Sequence, residues 1–130
     1  MKHQFEIGNT KTFEKLVTEQ DLAQFESGVV HNVYATFALG RDAEWSSRLF
    51  VLEMKDENEE GIGTFLNIKH HSPALLGQLV NFTAVISNLE KNRIDCKVIA
   101  KVGERTIAEC ETGQKIVLKE KLNTLFNTLK

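Results

Sequence analysis

One stretch of this chain, Thr36–Met54, has the length and pattern of a long helix, and most of the chain beyond it reads as strand. Within that stretch Leu39, Ala43, Leu49 and Val51-Leu52 make a broad apolar stripe, with Trp45 beside it. Phe37 and Phe50 lie off the stripe, which predicts a helix covered on more than one side. Downstream, residues 64–70, 78–89, 93–102 and 106–118 are strand-like. The third of these alternates Ile94, Cys96, Val98, Ala100 and Val102 against polar partners, as a half-buried antiparallel strand does. A meander of at least four strands must bury one face, and this helix is the long element available to bury it against. The pattern predicts an α+β fold spanning residues 1–130 as a single domain, a curved antiparallel sheet wrapped around one long central helix.

The flanking segments are shorter. Phe5 and Ile7 on one side and residues 10–17 on the other bracket Gly8-Asn9, a turn signal that predicts a short opening hairpin. Thr18 stands three residues before Asp21, in capping-box spacing for a brief helix. Gly28 then interrupts, and residues 29–33 read as a loop or short extended piece. Residues 55–60 form a polar break that ends at Gly61 and Gly63. Near the end, Leu122, Leu125 and Phe126 recur at helical spacing.

Charge and targeting signals narrow the function classes. The formal net charge of −2, with basic and acidic residues interspersed, leaves no basic excess to drive phosphate-backbone binding, so no nucleic-acid partner is expected. Residues 1–6 lack the layout of a signal peptide. No apolar run approaches the roughly 20 residues of a membrane span, so a soluble, cytoplasmic protein without a membrane partner is expected. Cys96 and Cys110, 14 residues apart in strand-like sequence, read as reduced thiols and not as a redox pair. No metal-ligand cluster or phosphate loop appears, and no cofactor is expected.

Three residues carry the chemistry that remains: a hydroxyl at Thr36, a carboxylate at Glu44 and an imidazole at His70. Such groups position water or a nucleophile at a carbonyl. Each also has a structural reading. Thr36 precedes the helical run, so its hydroxyl caps backbone amides, orients a substrate or acts as nucleophile. Burial of Glu44 beside Trp45 would raise its carboxyl toward neutrality; exposure would instead pair it with Arg41 or Arg48. His70 closes an alternating strand, where it is either a proton acceptor or a satisfied strand-end residue. His71 must face the opposite side of a regular strand. Gly40, costly inside a helix by about 1 kcal/mol relative to alanine, points to close approach of another backbone, such as that of a strand. Asp42 reads as a solvated or salt-bridged carboxylate.

With these residues in place the chain resembles the fluoroacetyl-CoA thioesterase-like branch of the hotdog superfamily over roughly residues 33–122. The resemblance rests on A-T-F-A-L-G-R-D-A-E-W, the G-I-G-T strand entry, H-H-S-P-A-L-L-G and V-L-K-E-K-L-N. Glu44 lies eight residues and His70 thirty-four after Thr36, which is similar to the spacing of the family's threonine, glutamate and histidine. The resemblance implies hydrolysis of an acyl-CoA, with Thr36, Glu44 and His70 as catalytic residues and Gly63 binding the thioester carbonyl through its amide. It also implies an active site between two subunits of a homodimer, with a dimer of dimers as the further assembly it allows. CoA enters as part of the substrate, not as a cofactor. The chain departs from the family where Cys110-Glu111-Thr112-Gly113-Gln114 stands in register with G-T-H-E-R. The family's aromatic lid has no counterpart that can be placed in residues 25–32, so fluoroacetate selectivity does not carry over. The competing reading is a non-catalytic acyl-CoA or small-ligand binder on the same fold.

Overall fold

The helical pattern becomes α1, Thr36–Met54, with the boundaries its periodicity predicts. The structure, a computed structural model, describes residues 1–25 and 28–130. Ala38, Gly40, Ala43, Ser46 and Ser47 of α1 are buried and small, which lets strands approach, while buried Leu39 and Phe50 fill the space between. Burying a side chain of that size contributes about 1.5–3 kcal/mol.

The strands are β1 (Thr10–Leu16), β2 (Leu22–Phe25), β3 (Gly28–Tyr34), β4 (Glu59–His70), β5 (Leu79–Glu90), β6 (Arg93–Val102) and β7 (Arg105–Leu118). Five of them form a sheet in the order β1-β5-β6-β7-β4, every pair antiparallel. All five touch α1, so the sheet packs one face on the helix across its whole width. On β6 the alternation predicts the inward residues: Ile94, Cys96, Val98 and Ala100 are buried and Val102 is partly buried, while on β5 the inward set is Val80, Phe82, Ala84 and Ile86. A curved sheet around a central helix is the hotdog architecture. Cys96 and Cys110 are buried free thiols, and burial pushes them up to about 12 and about 11 respectively.

The structure departs from the sequence pattern in four places. The opening hairpin does not form: the Gly8 turn exists, at φ +96°, but β1 pairs along β5, Thr10 opposite Val85 and Leu16 opposite Leu79. Covering the edge of β5 satisfies its backbone groups, which a local hairpin would leave open. Residues 28–34 are a strand, the extended alternative for that segment, but they pair with β2 in a separate two-stranded sheet that the sequence pattern does not predict. The strands after the helix are not one consecutive meander, because β4 pairs with β7 at the far edge. Residues 71–78 make the crossing, anchored on β3 by Tyr34 N–H to Ala74 O (2.8 Å) and Leu76 N–H to Asn32 O (3.3 Å). Finally, β4 begins at Glu59, so Gly61 and Gly63 lie inside a strand and not in a turn. The brief helix at Thr18 is a single 3-10 turn, Glu19–Asp21, in which Asp21 accepts from the Thr18 amide and hydroxyl, both at 2.9 Å. Residues Lys119–Thr128 form the closing helix α2, none of it buried.

Candidate active site

The site arises from how α1 lies against β4. The two run in opposite directions, and one row of α1 meets β4 step by step. Thr36 meets His70, the space over Gly40 is filled by Leu66 and Ile68, Glu44 meets Gly63, and Arg48 and Val51 meet Gly61. Gly40 thus answers to two side chains and not to a strand backbone. Gly63 and His70 are seven residues apart, and in a regular strand they would face opposite sides. A bulge between Gly63 and Phe65 changes the register, so both face the helix. The ring of Phe65 then falls on the opposite face, against Gly113, where a Cβ would collide with it.

At one end Thr36 Oγ1 and His70 Nδ1 are 3.0 Å apart. Thr36 does not cap: Ala35 is the N-cap of α1 and no side chain bonds the helix N-terminus. The threonine hydroxyl is turned to the imidazole instead. His70 Nε2 is buried and has no partner among the described residues. Burial lowers the His70 pKa from 6.5, the nearby His71 adds to the effect, and a backbone hydrogen bond at Ser72 opposes it. The ring is therefore neutral at pH 7 and able to accept a proton. The neighbouring His71 faces away, its Nε2 2.8 Å from Glu109 Oε2. Thr36, His70, His71, Ser72 and Pro73 line an open groove.

At the other end Glu44 is half-buried and its carboxylate lies where a Cβ on Gly63 would stand. Only a glycine at 63 leaves this space. Neither neighbouring arginine on the helix pairs with Glu44: Arg41 binds Asp21 (2.9 Å) and Asp42 (3.0 Å), and Arg48 binds Glu60 (2.8 Å). The Glu44 carboxylate makes no hydrogen bond or ion pair with the described residues. Trp45 beside it is 40% exposed, so the indole does not enclose the carboxylate. Gln114, opposite Gly63 on β7, is buried and its Nε2 lies 3.5 Å from Glu44 O. Below it the Thr112 and Ser47 hydroxyls are 2.6 Å apart. Of the departing residues 110–114, Gln114 and Thr112 thus lie under α1 at Glu44 and Ser47.

A buried polar network that the sequence pattern does not reveal holds the Thr36 end. Asp42 is buried and salt-bridged, not solvated, and accepts from the Tyr34 hydroxyl and from Arg41. Asp21 also binds Arg41, and Lys15 at 3.2 Å. Burial alone would raise the Asp21 carboxyl, but donors from Thr18, Arg41 and Lys15 outweigh it and hold it at about 2. The network ties β1, the turn before β2, the end of β3 and α1 together immediately beside Thr36. Residues so far apart in sequence give no spacing signal for it.

Comparison with known proteins identifies the family and the fold. The model of the family described as fluoroacetyl-CoA-specific thioesterase matches residues 17–120. The chain belongs to that family. Among solved structures it is similar to a Thermus thermophilus hypothetical protein described as a thioesterase superfamily member, at 34% identity and TM-score 0.90, covering 95% of this chain and 92% of that one. The fluoroacetyl-CoA thioesterase FlK shares the fold at 19% identity and TM-score 0.89, covering 98% and 99%. So does a hot-dog-like protein from Thermanaerovibrio acidaminovorans, at 18% identity and TM-score 0.86, covering 94% and 90%. FlK variants have been solved with fluoroacetate and CoA and with acetyl-CoA. A search of curated proteins found no match. Among the described residues no helix is long and apolar enough to cross a membrane.

Proposed function

We propose that the chain is a cytoplasmic thioesterase that hydrolyses an acyl-CoA to the free acid and CoA, using Thr36, Glu44, His70 and the amide of Gly63. Membership of the thioesterase family makes it an acyl-CoA thioester hydrolase, and the observation that carries the assignment to these residues is the pairing of the Thr36 hydroxyl with a half-buried, neutral imidazole. Water, or the Glu44 carboxylate itself, attacks the carbonyl carbon, and charge on the carbonyl oxygen is taken up by Thr36 and the Gly63 amide. When water attacks, His70 takes its proton and passes it to the CoA sulfur as the C–S bond breaks. When Glu44 attacks, the C–S bond breaks to leave CoA thiolate and a mixed anhydride on Glu44, which a water deprotonated by His70 then hydrolyses to the free acid. No cofactor is required. The non-catalytic binding reading is not favoured by the family match.

Within one chain the two ends of this site are separate. Thr36 and Glu44 are eight residues apart on α1, about 12 Å along the axis. A homodimer removes the gap. β4 is an edge strand, and Phe65 and Leu66 on it are each 41% exposed. If two copies pair antiparallel along β4 about a two-fold axis midway between Gly63 and His70, the Thr36–His70 end of one meets the Glu44–Gly63 end of the other.

A panel of short, branched and aromatic acyl-CoAs with thiol detection tests the activity. Release of CoA from at least one of them is expected, and none from any would leave the fold and remove the enzyme. Mixing Glu44→Gln with His70→Ala protein tests the shared site. Each variant alone is inactive, and random exchange of subunits restores about a quarter of wild-type activity, because half the dimers are mixed and each holds one intact site. No recovery after verified exchange would place the site inside one chain.

A further inference from the structure

Arg105 is the arginine that neither the fold nor the hydrolysis uses for charge. The chain has four arginines. Arg41, Arg48 and Arg93 are each within 4 Å of a carboxylate, in pairs of 2.9, 2.8 and 3.2 Å. Arg105 has no carboxylate partner among the described residues. Its Nη1 donates to two neutral acceptors, Ser72 Oγ and Pro73 O, the latter at 2.6 Å. Both acceptors belong to the groove that Thr36, His70 and His71 line. Nε and Nη2 make no hydrogen bond with the described residues, and they form the side of the guanidinium that grips a phosphate with two parallel N–H bonds. The carboxylates nearby are Glu104, the exposed preceding residue, and Glu109, which is taken up by His71 and lies opposite Lys69 on β4. Lys101, opposite Thr106, adds a further cation at the same end of the sheet.

The geometry points to Arg105 as the seat of a phosphate at the far end of the pantetheine arm of CoA, which leaves the Thr36–His70 groove over Ser72 and Pro73. The proposal rests on the acyl-CoA reading and adds the part of the substrate that the catalytic residues do not touch. It commits to the phosphates of CoA. A phosphopantetheine carried on another protein presents the same chemistry, and CoA and its fragments used as separate probes distinguish the two.

Fixing the guanidinium through Nη1 matters for affinity. An arginine free in solvent loses side-chain freedom when it binds an anion, whereas one already held against Ser72 and Pro73 loses little. The competing explanation is that Arg105 serves as a clamp on the loop after His70. A clamp affects every ligand of the groove alike, and a phosphate seat affects the phosphorylated ones.

Calorimetry with CoA, 4′-phosphopantetheine and pantetheine on wild-type, Arg105→Gln and Arg105→Lys protein distinguishes them, beside acyl-CoA turnover. The expected result is that Arg105→Gln weakens CoA about tenfold or more while pantetheine changes little, with Arg105→Lys between, because lysine keeps the charge and loses the fork. CoA affinity in the wild type should also fall as salt rises. Loss for both CoA and 4′-phosphopantetheine assigns the phosphate next to the pantetheine, and loss for CoA alone assigns a nucleotide phosphate. Equal weakening of CoA and pantetheine, or no weakening of either, overturns the proposal. Arg105-dependent CoA binding without turnover of any thioester would keep the seat and remove the hydrolase. Turnover with no dependence of CoA affinity on Arg105 would do the reverse.

Discussion

The two ends of the α1–β4 contact are built in opposite ways. At the Thr36–His70 end polar groups are already joined: hydroxyl to imidazole at 3.0 Å, with the Asp21–Arg41–Asp42–Tyr34 network beside them. At the Glu44–Gly63 end the carboxylate is joined to nothing among the described residues. A carboxylate stands against a glycine, its candidate arginine partners occupied elsewhere. In the proposed mechanism the first end holds the imidazole against a hydroxyl before substrate arrives, and the second leaves a carboxylate and a backbone amide open to it. Preorganisation at one end and vacancy at the other are complementary requirements of a carbonyl site.

The largest effects expected are those of removing one group from each end. His70→Ala and Glu44→Gln should each lower turnover by about 10²-fold or more, the range of lost acid–base catalysis, without loss of folding. Unchanged activity in Glu44→Gln would mean that the vacancy around this carboxylate has no chemical purpose, and the mechanism would fall with it.

Glycine substitutions sharpen the contrast. Alanine at Gly63 pushes on the Glu44 carboxylate, the end of a flexible side chain, whereas alanine at Gly61 pushes on the buried Val51. Gly63→Ala should therefore cost about tenfold or more in kcat with a small change in Tm. Gly61→Ala should cost about 1–3 kcal/mol of stability, as overpacking does, with kcat per folded molecule retained. The same outcome for both in thermal melts and kinetics would show that the two glycines serve packing alone.

A milder effect is expected at Thr36. Thr36→Ala removes the hydroxyl that meets His70 and should lower kcat about tenfold, roughly one hydrogen bond's worth. Thr36→Ser keeps it and should stay nearer wild type. Because Thr36 caps no amide, neither variant should change Tm as loss of a helix cap would. A drop in Tm of several degrees in Thr36→Ala would restore the capping reading.

How far the sequence reaches differs between these ends too. α1 is legible to the residue because its stripe is set by local periodicity, and β6 because it alternates over ten residues. The opposite facing of His70 and His71 is legible from the two-residue period of a strand. The bulge at Thr64 is not, although Gly63 and His70 share a face only because of it. A bulge is decided by the partner strand, and the pairing of β4 with β7 instead of β5 is a long-range choice. The true partners of Arg41 and Arg48 are hidden for the same reason. On α1 each lies near Glu44, but Asp21 and Glu60 reach them from other elements. The β2–β3 sheet escapes the sequence pattern because four- and seven-residue strands around a glycine carry little period.

The smallest expected effect concerns His71, and it carries a sign. His70 must be neutral to accept a proton, and its pKa lies below 6.5, chiefly through burial. Turnover should therefore be level through neutrality and fall only as pH drops through that lowered value. His71 points the other way, to Glu109, so His71→Ala should leave the plateau of kcat within about twofold. It does act on His70 through charge: the His71 contribution lowers the His70 pKa, and removing it lets that pKa rise. The acid limb of the pH–rate profile should then move slightly to higher pH, so that the variant is a little slower than wild type at acidic pH and equal to it at about pH 8. A fall of the plateau as large as that of His70→Ala, with folding intact, would mean that His71 and not His70 is the base. A shift of the acid limb to lower pH would contradict the assigned electrostatics while leaving the base in place.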